Sequence, residues 1–492
     1  MKNELLRYLK SFTKDWLQYY KFDSQASLEL TNKKSSNQEL YQLIQDKLGQ
    51  ISTITVKKPT LVIFIVEPNP LNFIAAFLAG VIAEVNLFLC DPAWQQREWQ
   101  QVLELVQPDF IFGDRNIKDL ISRLKYKVER IDNQVDILPE SLIMIPTGGT
   151  SGKIKFAMHT WSTLTASVIG FRDYFNCQKI NSACTLPLYH VSGLMQLMRS
   201  LITQGELAIF DYKIAQINQI SLYKPDYFIS LVPTQLQSLI NTMPEWLSQF
   251  KTVLLGGAPA RRSLLDSARK HKIPLALTYG MTETASGIVV LKPEDFWQGN
   301  NSNGLVLPQA QVEIVNACNQ DLNQQFSFEQ TVSELIECNV GLIKIKSKSL
   351  YLGYYPQFSI PDSSLTTDDL GYFDSNGYLH LVGRNSQKII TGGKNVFPLE
   401  VESAIYATNL VKEICVIGIP DLKWGQAVTA VYVPVEPHSL LIDIIKQTIQ
   451  FQLAKYKQPK NWIELKQLPR NNRGKINYQQ LQDQALQILS SR

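Results

Sequence analysis

The sequence predicts an α/β fold in which helices cover layered sheets, and three features of the chain indicate it. Eight short apolar or β-branched segments between residues 61 and 279 have the length and composition of buried strands. Helical patterns follow several of them, as in PTQLQSLINTM after Val232. From about Pro308 the strands alternate in polarity and are richer in Gly and Asn, which is typical of antiparallel sheets. We therefore expect a large N-terminal body of mixed and parallel sheets with helices, a smaller β-rich part, and a small C-terminal α+β domain.

The predicted elements run from a helical N-terminus to a C-terminal block in which helices and strands begin again. The first fifty residues are predicted to be helical, with one apolar stripe at three- and four-residue spacing: Leu5, Leu9, Phe12, Trp16 and Tyr20. The eight buried strands are LVIFIV (61–66), NLFLC (86–90), DFIFG (109–113), SLIMI (141–145), ELAIF (206–210), YFISLV (227–232), TVLLG (252–256) and LALTY (275–279). Later strands are QVEIVNA, LIKIKSK and YLHLVG. In residues 401–492 the pattern predicts the helix VESAIYATNL, the strands EICVIGI and AVTAVYVPV, and a helix from about Leu440.

Composition excludes several classes of protein. The 492 residues are 45% hydrophobic and 19% charged, which is too apolar for a disordered chain, and a net charge of +4 gives no case for a nucleic-acid partner. The six cysteines contain no CxxC pair, so neither a zinc knuckle nor a redox dithiol is expected, and sparse cysteines fit a reducing compartment. The longest uninterrupted apolar run, Phe73 to Ala83, is too short to span a bilayer, and the charged N-terminus lacks a signal-peptide core. We expect a soluble, cytoplasmic protein with no integral membrane segment.

A glycine-rich segment, PTGGTSGKIK (146–155), follows the strand SLIMI. Glycines let successive backbone N–H groups point inward, while hydroxyls and lysines add donors and positive charge, which suits phosphate oxygens. The candidate phosphate-binding residues are Thr147, Gly148, Gly149, Thr150, Ser151, Gly152 and Lys155. A P-loop is excluded because Thr147 stands where that motif needs its first glycine and Ile154 stands where it needs Ser or Thr. Taken alone, the segment could also be an ordinary loop.

Four further motifs follow in order: YGMTET (279–284), DDLGY (368–372) leading to Gly383-Arg384, TGGKNVFP (391–398) and LPRNNRGK (468–475). With the glycine-rich segment, they make the sequence resemble the adenylate-forming superfamily of acyl-CoA ligases, adenylation domains and luciferases. The resemblance covers nearly the whole chain. It implies two half-reactions that use ATP, Mg²⁺ and CoA: a carboxylate attacks the α-phosphate to give an acyl-adenylate, and a thiol then displaces AMP. It also implies a nucleotide- and acid-binding domain over 1–384 and a mobile lid domain over 385–492.

The resemblance assigns roles to the nucleotide-side residues. The glycine-rich segment would hold pyrophosphate with Lys155, although Gly148 replaces a serine and Ile154 a proline of the common pattern. Thr282 would bind the α-phosphate, and Glu283 would be the magnesium ligand, since carboxylate oxygen suits this hard cation. Taken alone, Thr-Glu beside a strand end could equally be a helix cap. The adenine side would be lined by Gly256, Gly257, Ala258 and Pro259, with Tyr279, next to Gly280, stacking on the base. Asp369 and Arg384 would bind the ribose.

The remaining roles concern the lid and the acid. Lys475 would reach the reacting carboxylate and α-phosphate oxygens, Ser386 would be the hinge, and Gly393 would leave room for the pantetheine thiol. His190, in PLYHVSG (187–193), would be a gate beside the carboxylate, with a packed core histidine as the alternative.

The nearest likeness within the superfamily is to 2-succinylbenzoate–CoA ligases of menaquinone and phylloquinone biosynthesis, carried by LIMIPTGGTSGKIKFAMHT, PLYHVSG and SLVPTQL (230–236). This makes a small carboxylic acid the partner substrate. Its second carboxylate would bind Arg199 with help from Ser230, unless Arg199 is only a helix-surface residue. Another aryl- or fatty-acyl-CoA ligase and a degenerate nucleotide-binding protein stay open as alternatives, and so does a homodimer.

Overall fold

The structure, a computed structural model, describes residues 16–19, 37–55, 61–124, 141–148, 153–213, 225–315, 340–358, 364–436, 440–470 and 476–490. Contacts between Cα atoms divide the chain into two compact units. The first comprises Met1–Pro259, Ala268–Gln311 and Ile345–Leu365, and the second comprises Ala260–Ser267, Val312–Lys344 and Thr366–Arg492. The domain boundary expected at residue 384 stays a prediction.

Helices and strands alternate through the first three hundred residues. The helices are α1 (Asn37–Thr55), α2 (Pro70–Ile82), α3 (Gln96–Leu105), α4 (Arg115–Arg123), α5 (Trp161–Tyr174), α6 (Val191–Ile202), α7 (Pro233–Thr242), α8 (Pro244–Leu247), α9 (Arg262–Lys270), α10 (Pro293–Trp297), α11 (Pro398–Tyr406), α12 (Leu441–Ile449) and α13 (Tyr478–Ser490). The strands of the first half are β1 (Leu17–Tyr19), β2 (Val62–Val66), β3 (Asn86–Leu89), β4 (Phe110–Gly113), β5 (Ile143–Gly148), β6 (Ile154–His159), β7 (Asn181–Cys184), β8 (Leu207–Ile209), β9 (Tyr227–Leu231), β10 (Thr252–Leu255), β11 (Leu275–Met281) and β12 (Ser286–Val290). The later strands are β13 (Leu305–Val306), β14 (Ala310–Val315), β15 (Gly341–Ser347), β16 (Gly353–Tyr354), β17 (Gln357–Phe358), β18 (Ser364–Phe373), β19 (Leu379–Arg384), β20 (Ile389–Thr391), β21 (Lys394–Val396), β22 (Val411–Asp421), β23 (Gly425–Pro434) and β24 (Asn461–Glu464).

Over the described residues these strands form four sheets. Two are large, with the orders β1-β8-β7-β9-β10-β11-β12-β13 and β17-β16-β6-β5-β3-β2-β4. Their central strands are parallel, whereas β6, β12 and β13 join them as antiparallel neighbours. The other two sheets have the orders β14-β15-β18-β19 and β21-β20-β23-β22, with β24 beside β23. The predicted α/β class with an added β-rich part is therefore confirmed, and all eight predicted strands are present, although only Phe112 of β4 is fully buried.

The helical N-terminus is confirmed at α1 (Asn37–Thr55), but it is wrong at Leu17–Tyr19 in the predicted apolar stripe. Residues Leu17–Tyr19 form a strand that pairs in parallel with Leu207–Ile209, and the N–H of Leu207 donates to the carbonyl of Trp16. Trp16 and Leu17 are buried in the core that this edge strand extends. Such a short apolar segment fits both the 3.6-residue period of a helix and the two-residue period of a strand. The sequence pattern therefore did not distinguish this three-residue strand from a helix. Leu5, Leu9, Phe12 and Tyr20 lie outside the described residues.

The most deeply buried helix is α2, which is apolar on every side. It starts after Asn69, whose side chain accepts the N–H of Asn72 at 3.1 Å, and Pro70 occupies its first turn. Buried residues cover its whole surface from Phe73 to Ile82, because the helix packs between α1 and the sheet that contains β2 and β3. In the part of the chain that the structure describes, no helix has the length and hydropathy of a membrane span.

Gly193, near the start of α6, allows the helix backbone to pack closely against the backbone of Pro187. A Cβ on Gly193 would lie 2.1 Å from the carbonyl oxygen of Pro187, which is backbone and has little room to move. We expect Gly193→Ala to lower the free energy of unfolding by about 1–3 kcal/mol. Gly49, in the exposed interior of α1, has no atom within 4 Å of such a Cβ. Gly49→Ala should therefore raise the free energy of unfolding by about 1 kcal/mol. Urea unfolding of both variants measures this, and a change of the same sign in both would contradict it.

Candidate active site

The glycine-rich segment connects two strands of an antiparallel hairpin. Thr147 pairs with Lys155 and Gly148 with Ile154, so β5 continues through Gly148, past the predicted strand end at Ile145. Gly149, Thr150, Ser151 and Gly152 lie outside the described residues. The N–H of Ile154 donates to Gln101 Oε1 at 3.0 Å, and its side chain is buried in the core. Isoleucine thus supplies a donor that a proline lacks, and it fixes the outgoing strand of the hairpin.

The motif YGMTET ends β11 and forms a short 3-10 turn, Thr282–Thr284, whose carbonyl groups are held from other parts of the chain. His159 Nε2 hydrogen-bonds to the carbonyl of Thr282 at 2.8 Å, and the N–H of Tyr351 donates to that of Glu283 at 2.8 Å. Ser349 Oγ donates to the carbonyl of Thr284 at 3.0 Å, and Ser167 Oγ donates to that of Ala285 at 2.7 Å. Four consecutive carbonyls are therefore each bound by a different residue. Any movement of Thr282 or Glu283 would break several bonds at once.

His159 is completely buried and uncharged. Burial lowers the pKa of His159 to about 4, only partly opposed by its bond to the Thr282 carbonyl. Its second ring nitrogen, Nδ1, lies 3.0 Å from Thr163 Oγ1 on α5, which also serves the N-terminal cap of that helix. The ring therefore joins β6, α5 and the 282–285 turn as a neutral spacer.

Glu283 is the residue in this region whose chemistry fits a magnesium ion. It is 8% exposed, and its Oε1 accepts a hydrogen bond from Tyr354 Oη at 2.5 Å. Groups of three or more His, Cys, Asp or Glu that could enclose a metal are absent from the described residues. A single carboxylate fits Mg²⁺, which is usually held by one or two carboxylates together with substrate phosphates and water. Lys155 lies close by, with its Nζ 4.8 Å from the centre of the Tyr354 ring.

The adenine-side candidates lie at the ends of β10 and β11. Gly257, Ala258 and Pro259 are exposed directly after β10, and Tyr279 and Gly280 belong to β11. Carboxyl ends of parallel strands are where open α/β sheets bind ligands, which favours this placement. Tyr279 is only 6% exposed, so little of its ring is accessible for stacking on a base. Its stacking role stays a prediction.

The acid-side candidate Arg199 is a buried residue of α6, so the alternative of a surface arginine is wrong. Its side chain is 4% exposed, and its guanidinium lies 4.0 Å from the centre of the Phe171 ring. Burial lowers the pKa of Arg199 to about 10, which leaves it charged at neutral pH. One terminal nitrogen donates to Ser286 Oγ at 3.3 Å, while Nε has no partner among the described atoms. A buried cation with an open donor is costly unless an anion occupies the space beside it.

Ser230 lies on the same side of the sheet as Arg199. Phe228 and Ser230 are two positions apart on β9, so their side chains point to the same face of the sheet. The Phe228 ring packs edge-on against Phe171 at 5.3 Å, and the Arg199 guanidinium lies on the Phe171 ring.

His190 is the residue before α6, and its ring contacts that of Tyr189, with ring centres 4.8 Å apart. It is half-buried rather than a packed core residue, which leaves its gate role as a prediction.

The candidates in the second unit form two groups. Asp369 and Arg384 are paired across β18 and β19, and Arg384 Nε donates to Asp369 Oδ1 at 3.1 Å, so the two predicted ribose ligands lie together. Ser386 lies two residues after Arg384, and both its N–H and its hydroxyl donate to the carboxylate of Asp368. Gly392 and Gly393 have φ of 56° and 77° and form the tight turn of the β20–β21 hairpin. Apart from its chain neighbours, no described residue has an atom within 4 Å of a Cβ placed on Gly393. Lys475 lies outside the described residues.

The sequence assigned no role to four residues that shape these sites: His159 for the turn, Ser286 for Arg199, Tyr354 for Glu283, and Asp368 for Ser386. Asp368 carried a signal, because it stands inside the recognised DDLGY motif. Each of the others acts across more than seventy positions of chain, which a single sequence does not reveal.

A carboxylate turn beside a lysine-bearing Gly/Thr hairpin, at the carboxyl ends of parallel strands, is the arrangement of a nucleotide-handling enzyme. Residues 54–355, more than half of the chain, match the family AMP-binding enzyme, and residues 400–475 match the AMP-binding enzyme C-terminal domain. The chain therefore belongs to the AMP-binding enzyme family, as its motifs predicted.

The chain is similar to acid–CoA ligases along nearly its whole length. A 2-succinylbenzoate–CoA ligase of Listeria monocytogenes is 28% identical, over 93% of this chain and 96% of the relative. The structure of o-succinylbenzoate CoA synthetase from Bacillus subtilis with the acyl-adenylate intermediate OSB-AMP has a TM-score of 0.77 at 26% identity, covering 98% of this chain and 97% of that one. The same Bacillus subtilis enzyme in complex with ATP and magnesium ion also gives 0.77 at 26% identity, covering 98% of each chain. The similarity extends over both units.

The neutral state of His159 predicts a pH dependence of stability. The folded protein protonates His159 only near pH 4, whereas the unfolded chain does so near pH 6.5, so the unfolded state binds more protons between these values. The free energy of unfolding should fall as pH drops through this window. Between pH 7 and pH 5 we expect the wild type to lose about 2 kcal/mol more than His159→Gln. Urea unfolding at both pH values measures the difference, and identical losses in the two proteins would show that His159 is not held neutral.

Proposed function

We propose that this protein is an ATP-dependent acid–CoA ligase whose acid is 2-succinylbenzoate. The acid carboxylate attacks the α-phosphate of ATP, pyrophosphate leaves, and the thiol of CoA then displaces AMP to give the thioester. The family match, the relatives named as 2-succinylbenzoate–CoA ligases and the related structure that contains the acyl-adenylate all support this reaction. The related complex with ATP and magnesium ion supports the same substrate and metal here.

Arg199 is the observation that carries the choice of acid. 2-Succinylbenzoate has one carboxylate to activate and a second, aromatic one that needs a partner. The guanidinium is buried on an aromatic ring, its Nε has no partner among the described atoms, and its planar group of N–H donors suits such an anion. Ser230, on the same face of the sheet, would add a hydroxyl. A monocarboxylic acid would leave this charge unneutralised in the core, so the site favours a dicarboxylate.

The nucleotide roles follow from the motif positions. Lys155 and the glycine-rich loop would hold the pyrophosphate oxygens, Thr282 would donate to the α-phosphate, and Asp369 with Arg384 would bind the ribose. Glu283 would hold Mg²⁺, which when bound would offset charge on the phosphate oxygens. Lys475 would stabilise the negative charge that builds as carboxylate and phosphate approach.

Four further predictions complete the proposal. Ser386, held by Asp368, would be the hinge, and the open side of Gly393 would admit the pantetheine thiol. A cytoplasmic location agrees with the four described cysteines, which are all free thiols. The homodimer stays a prediction.

An acid panel with and without CoA tests the reaction. We expect ATP, Mg²⁺ and 2-succinylbenzoate to release pyrophosphate, and CoA thioester to form when CoA is added. Lys475→Ala should nearly abolish pyrophosphate release, because the charge of the approaching anions is no longer offset, while thiolysis of supplied acyl-adenylate stays largely intact. Absence of pyrophosphate release with every acid would refute the ligase, and equal loss of both half-reactions would refute the role of Lys475.

Arg199→Met tests the substrate choice, since methionine keeps the packing on Phe171 without the charge. We expect the KM for 2-succinylbenzoate to rise roughly 100-fold, equivalent to about 3 kcal/mol, with the KM for ATP within about twofold. For 4-oxo-4-phenylbutanoate, which lacks the aromatic carboxylate, the wild type and the variant should have similar KM values. Arg172→Met is the matched control, because Arg172 is an exposed arginine paired with Asp173. Equal effects on both acids would contradict the assignment.

A further inference from the structure

Tyr354 contacts both charged groups of the nucleotide side. Its hydroxyl donates to Glu283 Oε1 at 2.5 Å, and the face of its ring lies 4.8 Å from Lys155 Nζ. These are the predicted magnesium ligand and the predicted pyrophosphate-binding lysine. A tyrosine is suited to this double contact, because the hydroxyl orients an anion while the ring face attracts a cation.

The strand that carries Tyr354 explains how the side chain reaches this position. Tyr354 pairs with Ala157 of β6, and the N–H of Tyr355 donates to the carbonyl of Phe156. Tyr355 points into the core, where its ring packs edge-on against Phe88 at 5.0 Å. Because side chains alternate along a strand, Tyr354 points to the opposite face, the face of Ala157 and Lys155.

The same segment also holds the backbone beside Glu283. The N–H of Tyr351 donates to the Glu283 carbonyl, and Ser349 Oγ donates to that of Thr284. Tyr351 and Tyr354 then meet ring edge to ring face at 5.0 Å. Segment 349–354 therefore fixes the backbone of Glu283 with one set of groups and its carboxylate with another.

We propose that Tyr354 is a positioning residue that sets the carboxylate of Glu283 for the metal and the ammonium of Lys155 for the departing phosphates. One oxygen of Glu283 accepts the tyrosine hydroxyl, which fixes the plane of the carboxylate and leaves the other oxygen for the cation. The ring restricts the flexible stem of Lys155, so less conformational entropy is lost when phosphate binds. This inference rests on the proposed function, from which it takes the roles of Glu283 and Lys155.

Two substitutions separate the two contacts. Tyr354→Phe removes only the hydroxyl, and Tyr354→Leu removes the ring as well. ATP binding is measured by calorimetry over a magnesium series, without acid or CoA, so that no turnover contributes. We expect Tyr354→Phe to raise the Mg²⁺ concentration for half-maximal ATP binding about 10-fold. Tyr354→Leu should add a loss of about threefold in ATP affinity at saturating Mg²⁺, which vanishes in a Lys155→Ala background.

Controls distinguish positioning from a structural role. Tyr174→Phe also removes one tyrosine hydroxyl bond, from Tyr174 Oη to the Val290 carbonyl at 2.6 Å, and should leave the magnesium dependence unchanged. Thermal unfolding without nucleotide checks that each variant is folded. An unchanged magnesium dependence in folded Tyr354→Phe, or an equal shift in Tyr174→Phe, would overturn the inference. A wild type that binds no ATP at any magnesium concentration would instead refute the proposed function.

Discussion

The site depends on four consecutive backbone carbonyl groups in the turn after β11, each of which accepts a hydrogen bond from another part of the chain. Residues from β6, from α5 and from segment 349–351 bind the carbonyls of residues 282–285. The turn needs this support because Ala285 and Ser286 have φ of 51° and 87°, a left-handed conformation that costs of order 1–3 kcal/mol for each non-glycine residue. The hydrogen bonds offset that cost and fix where Glu283 and Ser286 point. Both sides of the site therefore inherit their geometry from one turn.

Burial lowers the pKa of two basic side chains on either side of this turn, but only one of them loses its charge at neutral pH. His159 gives up its charge, since its pKa falls to about 4, and becomes a neutral hydrogen-bonding spacer. Arg199 keeps its charge, because even a pKa of about 10 leaves it protonated at neutral pH. The described interior of the first unit thus carries a fixed positive charge on the acid side and none at His159. Desolvation alone accounts for the difference, through the distance of each group's ordinary pKa from 7.

Much of the fold could be predicted from the sequence because buried parallel strands are written as apolar runs that need no knowledge of their partners. LVIFIV and TVLLG are examples, and both appear as β2 and β10. The ordered motifs likewise identified the family, since each is a local segment with its own chemistry. Pairing between distant segments was out of reach: β1 beside β8, Tyr354 beside Lys155, and Ser286 beside Arg199 depend on the assembled sheets. The extent of β5 through Gly148 was missed because glycine usually signals a loop, yet here it lies in a paired strand.

The buried guanidinium of Arg199 also indicates which substitution would be favoured if only stability were selected. Replacing this buried charge with an apolar side chain of similar size removes a desolvation penalty, so the protein would become more stable while losing its recognition of a second carboxylate. Thermal selection without selection for the substrate would therefore erase the arginine early. A laboratory lineage that retains it under heat alone would show that packing on Phe171 is worth more than the buried charge costs.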